Sequence, residues 1–235
     1  MSFLDAIIEN VRTHAKKGHR PVVVFDLDST LFSTQERNFA ILREFASVAD
    51  APHALVSIVG RLCVGDMGWN IMDDLRVRGL SDDGLLRRLR SFWRERFFTN
   101  EYLRHDKPIP GAVEFVADVH VAGAIVFYLT GRDEPGMGAG TRESLRTHAF
   151  PFEGERVVLE LKPRFEDDDL SFKRSAIDRI RQLGEVVAAC ENEPANANLF
   201  CDAFPKADVL FLETVHSPNP PPLCTKVARL GDFRR

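Results

Sequence analysis

The stretch Pro21-Val22-Val23-Val24-Phe25-Asp26-Leu27-Asp28-Ser29-Thr30-Leu31-Phe32 decides how the rest of the chain is read. A run of β-branched and aromatic residues bounded by turn formers predicts a strand buried on both faces, as in a parallel sheet covered by helices. Its acids, Asp26 and Asp28, then fall at the strand's carboxyl end, where open α/β sheets bind their ligands. Two residues apart, they point the same way along an extended chain, so one divalent cation can contact both. Like charges this close repel, and a metal relieves the repulsion. A strand that simply ends in solvated acids is the plain alternative.

Beyond this strand the pattern turns helical. Phe39, Leu42, Phe45 and Ala46 recur at helical spacing, as do Leu85, Leu86, Leu89, Trp93 and Phe97. Pro108-Ile109-Pro110-Gly111 marks a boundary. From there helices (111–122, 141–149, 171–183 and one starting near 195) alternate with strands (124–130, 156–161, 186–190 and 208–212). Such alternation implies βαβ units and a parallel sheet. Residues 1–32 and 108–235 therefore form an α/β core, and residues 33–107 form a helical insertion leaving the sheet's carboxyl edge, above Asp26 and Asp28. That is the position of a lid that excludes water and selects substrate. Ser217-Pro218-Asn219-Pro220-Pro221-Pro222 fits neither helix nor central strand and is expected to be an extended tail.

Two further strand ends and one helix start carry chemistry. Ile125-Val126-Phe127-Tyr128-Leu129-Thr130-Gly131-Arg132 ends in a hydroxyl, a glycine and a guanidinium. Thr130 and the Gly131 N–H can donate to an anionic oxygen; Arg132 can bind phosphate or pair with a structural carboxylate. Lys173 lies near a helix start, where a cation is mildly unfavourable, which suits a role opposite carboxylates and a bound anion; Lys162 competes for it. Glu191-Asn192-Glu193-Pro194 follows another buried strand and offers hard oxygen ligands of the kind Mg²⁺ takes, or simply a turn.

In this order the signatures Asp26-Leu27-Asp28-Ser29-Thr30, Leu129-Thr130-Gly131-Arg132, Lys173 and Glu191-Asn192-Glu193-Pro194-Ala195-Asn196 resemble the haloacid dehalogenase-like superfamily of phosphohydrolases. The insertion has the size and position of that family's helical cap but no matching motif. The resemblance implies a doubly wound, five-stranded parallel Rossmann-like core with the Asp26 strand central and an α-helical cap domain above it. It implies Asp26 as nucleophile, forming an aspartyl-phosphate, and Asp28 as acid and then base. Thr130, Gly131, Arg132 and Lys173 would hold the phosphoryl group. Asp26, Asp28 through its backbone carbonyl, and Glu191 or Asn192 would hold Mg²⁺. The chain departs from the family where Glu191 and Asn192 stand in place of the usual aspartate. An acid at Asp28 sets it apart from the dehalogenases, which lack that acid, and from the transport ATPases, which carry threonine there. The expected activity is Mg²⁺-dependent hydrolysis of a small soluble phosphomonoester. A phosphotransferase or phosphomutase, or a weakened phosphatase-like binding protein, is the alternative.

Composition narrows the partners. The 235 residues are 44% hydrophobic and 28% charged, enough for one large core with an insertion. A formal net charge of −4 gives no electrostatic support for nucleic-acid or anionic-membrane binding. Cys63, Cys190, Cys201 and Cys224 show no CxxC pair, the pattern of a reducing cytoplasm. No stretch reaches about 18 apolar residues, so no membrane span is expected. The charged opening Ser2–Val11 reads as an amphipathic helix with a Ser2/Asp5 capping box, not a signal peptide. The histidines form no HxH or HExxH group. Gly136-Met137-Gly138-Ala139-Gly140 is expected to be a flexible loop, Asp167-Asp168-Asp169 a solvated loop, and Arg87, Arg88, Arg90, Arg94 and Arg96 a solvated helix face that could steer anions if turned inward.

Overall fold

The computed structural model describes residues 2–48 and 50–235. Helix α1 (Phe3–Lys16) opens on the capping box, with Ser2 and Asp5 exchanging backbone-to-side-chain bonds of 3.0 and 3.1 Å, and buries Leu4, Ile7, Ile8 and Val11. Strand β1 (Pro21–Phe25) follows, buried along its whole length. The chain then enters the insertion through β2 (Phe32–Ser33), α2 (Gln35–Ala46), α3 (His53–Val59), α4 (Ile71–Val77) and α5 (Asp83–Phe97), and returns through β3 (Lys107–Pro108). β2 and β3 pair antiparallel, so the two connections leave the core as one short ribbon. The core resumes with α6 (Ala112–Val121), β4 (Ile125–Asp133), α7 (Glu134–Thr147), β5 (Val157–Lys162), α8 (Asp169–Leu183), β6 (Glu185–Glu191), α9 (Pro194–Ala203), β7 (Asp208–Leu212) and β8 (Ala228–Leu230).

The main sheet has six strands in the order β5-β4-β1-β6-β7-β8, every pair parallel. The sixth strand is a correction to the five expected: after the proline-rich tail the chain comes back to pair along β7. β1 is central, and the chain winds first to its β4 side and then to its β6 side. The switch point, where a crevice opens at the carboxyl ends, therefore lies at Asp26. Alternation along β1 splits the core between two faces. Val23 and Phe25 pack with α1 and α6, while Val22 and Val24 pack with Phe172, Ala176 and Ile180 of α8. The inserted helices have a core cluster of their own, built from Leu42, Phe45, Leu55, Leu75 and Leu89.

Three local expectations change. The segment Gly136–Gly140 is helical, not a loop: α7 begins at Glu134, capped by the Asp133 side chain on the Gly136 N–H with Pro135 in the first turn. Its glycines have a packing reason, because a Cβ on Gly140 would stand 2.6 Å from the Asn100 carbonyl oxygen. Asp168 caps α8 by accepting from the Ser171 N–H, so the acidic triplet starts a helix. In α2 the buried face takes in the polar Arg37 and Asn38 beside Ile41, Leu42 and Phe45, with Phe39 half-buried against the same core. The tail is tied to α9: Asn198 bonds Pro222 and Cys224, and the Cys224 and Cys201 sulfurs lie 2.9 Å apart as free thiols. Near the ribbon Gly111, at φ +78°, lets the chain pass against Phe233, whose ring stacks on Phe115 at 5.5 Å.

Candidate active site

Asp26 follows β1 directly and continues the Val22/Val24 side toward α8. Its Oδ1 accepts from Lys173 Nζ at 2.7 Å, and Lys173 also donates to Glu191 Oε2 at 2.6 Å. All three side chains are buried. Glu191 accepts the N–H groups of Asn192 and Glu193 on Oε1, both at 3.0 Å, so both of its oxygens are engaged. Asn192 accepts from Thr30 at 3.0 Å and donates to the Val215 carbonyl at 2.7 Å. Asp26 Oδ2 takes no hydrogen bond from the described residues, and Asp26 lines the cavity above the sheet edge. Burial pushes the Asp26 carboxyl up to about 7; the Glu191 charge adds to this and Lys173 opposes it. Burial also pulls against the Lys173 ammonium, but Asp26 and Glu191 prevail and hold it above its ordinary value.

Asp28 has different company. Regular extension stops at Phe25, and Thr30, Leu31 and Phe32 all donate backbone N–H groups to the Leu27 carbonyl. Ser29 is left-handed at φ 59°, a strained turn held by its neighbours. Strict alternation is lost, and the two acids do not share a partner. Asp28 Oδ1 accepts from Arg37 Nη2 at 2.9 Å and from Nε and Nη2 of Arg132, the Nε bond being 3.0 Å; Oδ2 takes none from the described residues. Burial pushes this carboxyl up, but Arg132 and Arg37 outweigh it and hold it well below the usual carboxylate range. The same two guanidiniums grip Asp106, which is fully buried: Arg37 Nε at 2.8 Å and Arg132 Nη2 at 2.8 Å. Two acids and two arginines thus form one cluster at the base of the inserted helices, buried except at the Asp28 carboxylate, which is 33% exposed.

The structure brings Asp26, Asp28, Thr130, Gly131, Arg132, Lys173, Glu191 and Asn192 to one cavity of about 550 Å³. Of the two readings open for Arg132 it shows the structural one, since the side chain is buried and spends its donors on Asp28, Asp106 and Thr141. Lys162 stays apart, paired with Asp169 at 2.7 Å and bonded to the Phe165 and Asp167 carbonyls. Among the described residues no three His, Cys, Asp or Glu side chains form a ready metal cage. Sequence reasoning missed Arg37 and Asp106. A signal existed for Arg37: it sits on the buried face of α2, at the turn before Ile41 and Phe45. Asp106, next to the Pro108 boundary, gave none.

The inserted helices contribute an aromatic wall to the cavity. Trp93 stacks on Phe97 at 4.7 Å, Phe98 meets Trp93 at 5.4 Å, and Phe165 of the core packs on Phe98 at 4.9 Å. Trp93 Nε1 donates to Asn38 at 2.7 Å, which fixes the ring. Arg90 and Arg94 also line the cavity.

A crevice at the switch point of a parallel sheet, floored by acids and a lysine and roofed by an inserted helical layer, is a class of site shared by many hydrolases. Residues 21–199 match the profile of the haloacid dehalogenase-like hydrolases, and the chain belongs to that family. No curated protein matches it. Solved structures share the fold. Protein tyrosine kinase A of Mycobacterium tuberculosis is 18% identical, with 90% of this chain and 93% of that one covered at a TM-score of 0.55. A provisionally assigned phosphatase of Clostridium difficile is 13% identical over 86% and 89%, also at 0.55. A provisionally assigned haloacid dehalogenase-like hydrolase of Burkholderia xenovorans LB400 is 14% identical over 92% and 94%, at 0.51.

Proposed function

We propose that this hydrolase cleaves phosphomonoesters through an aspartyl-phosphate on Asp26. The observation that carries the reading is the division of labour on that carboxylate: Lys173 holds Oδ1, and Oδ2 is left for a ligand in the cavity. Attack of Oδ2 on phosphorus forms the P–O bond to Asp26 as the bond to the leaving oxygen breaks. Thr130 and the Gly131 N–H lie beside the transferring group, and Lys173 offsets its charge. Asp28 gives the leaving oxygen its proton; because Arg132 and Arg37 hold this carboxyl low, which works against its protonated form, an acidic alcohol can instead leave as its anion and take its proton from water. In the second step Asp28 Oδ2 takes a proton from the attacking water, and the bond from phosphorus to Asp26 breaks.

The donor set suits a hard divalent cation such as Mg²⁺, which binds through one or two protein oxygens and keeps waters and substrate oxygens. Asp26 lines the cavity with a carboxylate oxygen that takes no hydrogen bond from the described residues, Asn192 lines it with an amide oxygen that already accepts one bond from Thr30, and the Asp28 backbone carbonyl is the third candidate. Glu191 serves chiefly to hold Lys173, because both its carboxylate oxygens are engaged. When bound, the cation supplies charge neutralisation and polarises the phosphoryl oxygens.

Hydrolysis of a generic aryl phosphate is expected to need Mg²⁺ and to vanish in Asp26→Asn. Full activity in that variant would overturn the reading. Adding an acceptor alcohol separates hydrolysis from phosphoryl transfer, since a transferase makes the phosphorylated acceptor in place of free phosphate.

A further inference from the structure

What the cap offers to a ligand is specific. Its neutral polar groups are partly committed: the Asn38 carbonyl oxygen to Trp93, Asn70 to the Met72 N–H and to Asp73, and Thr34 to Ser29. A substrate rich in hydroxyls would find few free partners there. Aromatic surface lines the cavity. Trp69 is 54% exposed there, and Trp93, Phe97, Phe98 and Phe165, whose rings brace one another, line the same cavity. Rigid rings of this kind stack on flat ligands.

The second uncommitted resource is positive charge. On α5, Arg88 pairs with Asp50 and Arg96 with Glu44, both at 3.0 Å. Arg90 and Arg94, one turn apart on the same face, have no carboxylate partner among the described residues, and both line the cavity. The Arg94 guanidinium lies 5.6 Å from the centre of the Phe165 ring, a cation–π contact that aims it. The other anion-binding groups of the cavity, Lys173 and Arg132, are taken up by the acids below. Two guanidiniums left free beside aromatic rings suit an anion carried by the organic part of the ligand.

We infer that the substrate is an aryl phosphate whose ring bears a second anionic group, stacked against Trp69 and the Trp93 wall and held by Arg90 and Arg94. This rests on the phosphomonoesterase reading, and it adds the identity of the leaving group. The cavity, at about 550 Å³, is in the range for a small molecule of one or two rings. Carboxylate and phosphate both satisfy the guanidiniums, and the test separates them.

Phenyl phosphate, carboxyphenyl phosphate, a phenyl bisphosphate and a hexose phosphate should be compared as substrates. Both charged aryl esters are expected to exceed phenyl phosphate in kcat/KM by about tenfold or more, and the better of the two identifies the second anion. The ratio of charged to plain aryl ester should fall toward one in Arg90→Gln and Arg94→Gln, mainly through KM. It should be unchanged in Arg87→Gln, which lies outside this cavity. Preference for the hexose phosphate, or a ratio indifferent to Arg90 and Arg94, would overturn the inference. A second readout does not need turnover. The chain's two tryptophans, Trp69 and Trp93, both line the cavity, so their fluorescence reports occupancy. Titration with a non-hydrolysable carboxyphenyl phosphonate should quench it, with Kd raised about tenfold in Arg94→Gln. Arg-dependent quenching without hydrolysis of any ester would remove the phosphatase reading and leave the ligand class standing. No quenching and no preference would remove the inference alone, provided phenyl phosphate is still hydrolysed.

Discussion

Replacing Lys173 by methionine tests the centre of the site. The ammonium makes contacts of 2.7 and 2.6 Å with Asp26 and Glu191, and no side chain of the three is more than 7% exposed. The variant leaves two carboxylates facing each other, with only backbone N–H groups on Glu191 in compensation. Removing one partner from a buried ion pair costs about 3–5 kcal/mol. For a chain of this length that lowers Tm by about 6–20 °C. The loss must depend on pH. Asp26 already has a carboxyl raised to about 7 when folded, against an ordinary value of 3.8. Its contribution to stability is full below the unfolded value and is lost as pH rises through the folded one. Without Lys173 that folded value rises further, so the penalty grows through neutrality and above. Urea unfolding of both proteins at pH 5 and pH 8, in chelator, should show a deficit that is large at pH 8 and shrinks at pH 5. Adding Glu191→Gln to the variant should recover part of it. A deficit under about 1 kcal/mol at pH 8, or one equal at both pH values, would refute the coupled buried triad.

Asp106→Asn leaves two buried guanidiniums with Asp28 as their only carboxylate and should cost about 3–5 kcal/mol by urea unfolding. Phe233→Ala removes a buried ring stacked on Phe115 and should cost about 3–5 kcal/mol, read as a lower Tm without loss of secondary structure by circular dichroism. Gly111→Ala combines a left-handed φ of +78° with a Cβ placed 2.5 Å from the Phe233 carbonyl group. It should lower Tm as well, whereas Gly18→Ala, also at positive φ but with open space around its Cβ, should lower it less.

The strands and most of the helices of the core were legible because their signals are local. Apolar runs such as Val22–Phe25 and Val186–Cys190 are bounded by turn formers, and α1 carries its capping box openly. The acids, Thr130 and Lys173 were legible because each stands at an element's end. What failed depends on distant contacts. The Gly136–Gly140 run reads as a loop by propensity, and is a helix because the chain near Asn100 packs directly on it. β8 is too short to announce itself and exists through pairing with β7. The separate partners of Asp26 and Asp28 were hidden too, since alternation holds only while the chain stays extended and it curls after Phe25. Arg37, Asp106 and the orientation of Arg90 and Arg94 belong to the cap, where a motif-free sequence leaves only helical periodicity to read.

The cluster of Asp28, Arg37, Asp106 and Arg132 also bears on how such a chain could be rebuilt. Arg37 and Asp106 stand at the two ends of the insertion, whereas Arg132 belongs to β4 and Asp28 to the turn that follows β1. The insertion is therefore no interchangeable module. A chimera carrying another relative's insertion on this sheet would leave Arg132 with Asp28 and Thr141 but without Asp106, and would release Asp28 from Arg37, one of its two guanidinium partners. A graft that aims to change what this hydrolase accepts has to keep Arg37, Asp106 and the ribbon beneath them, and exchange only the helices above.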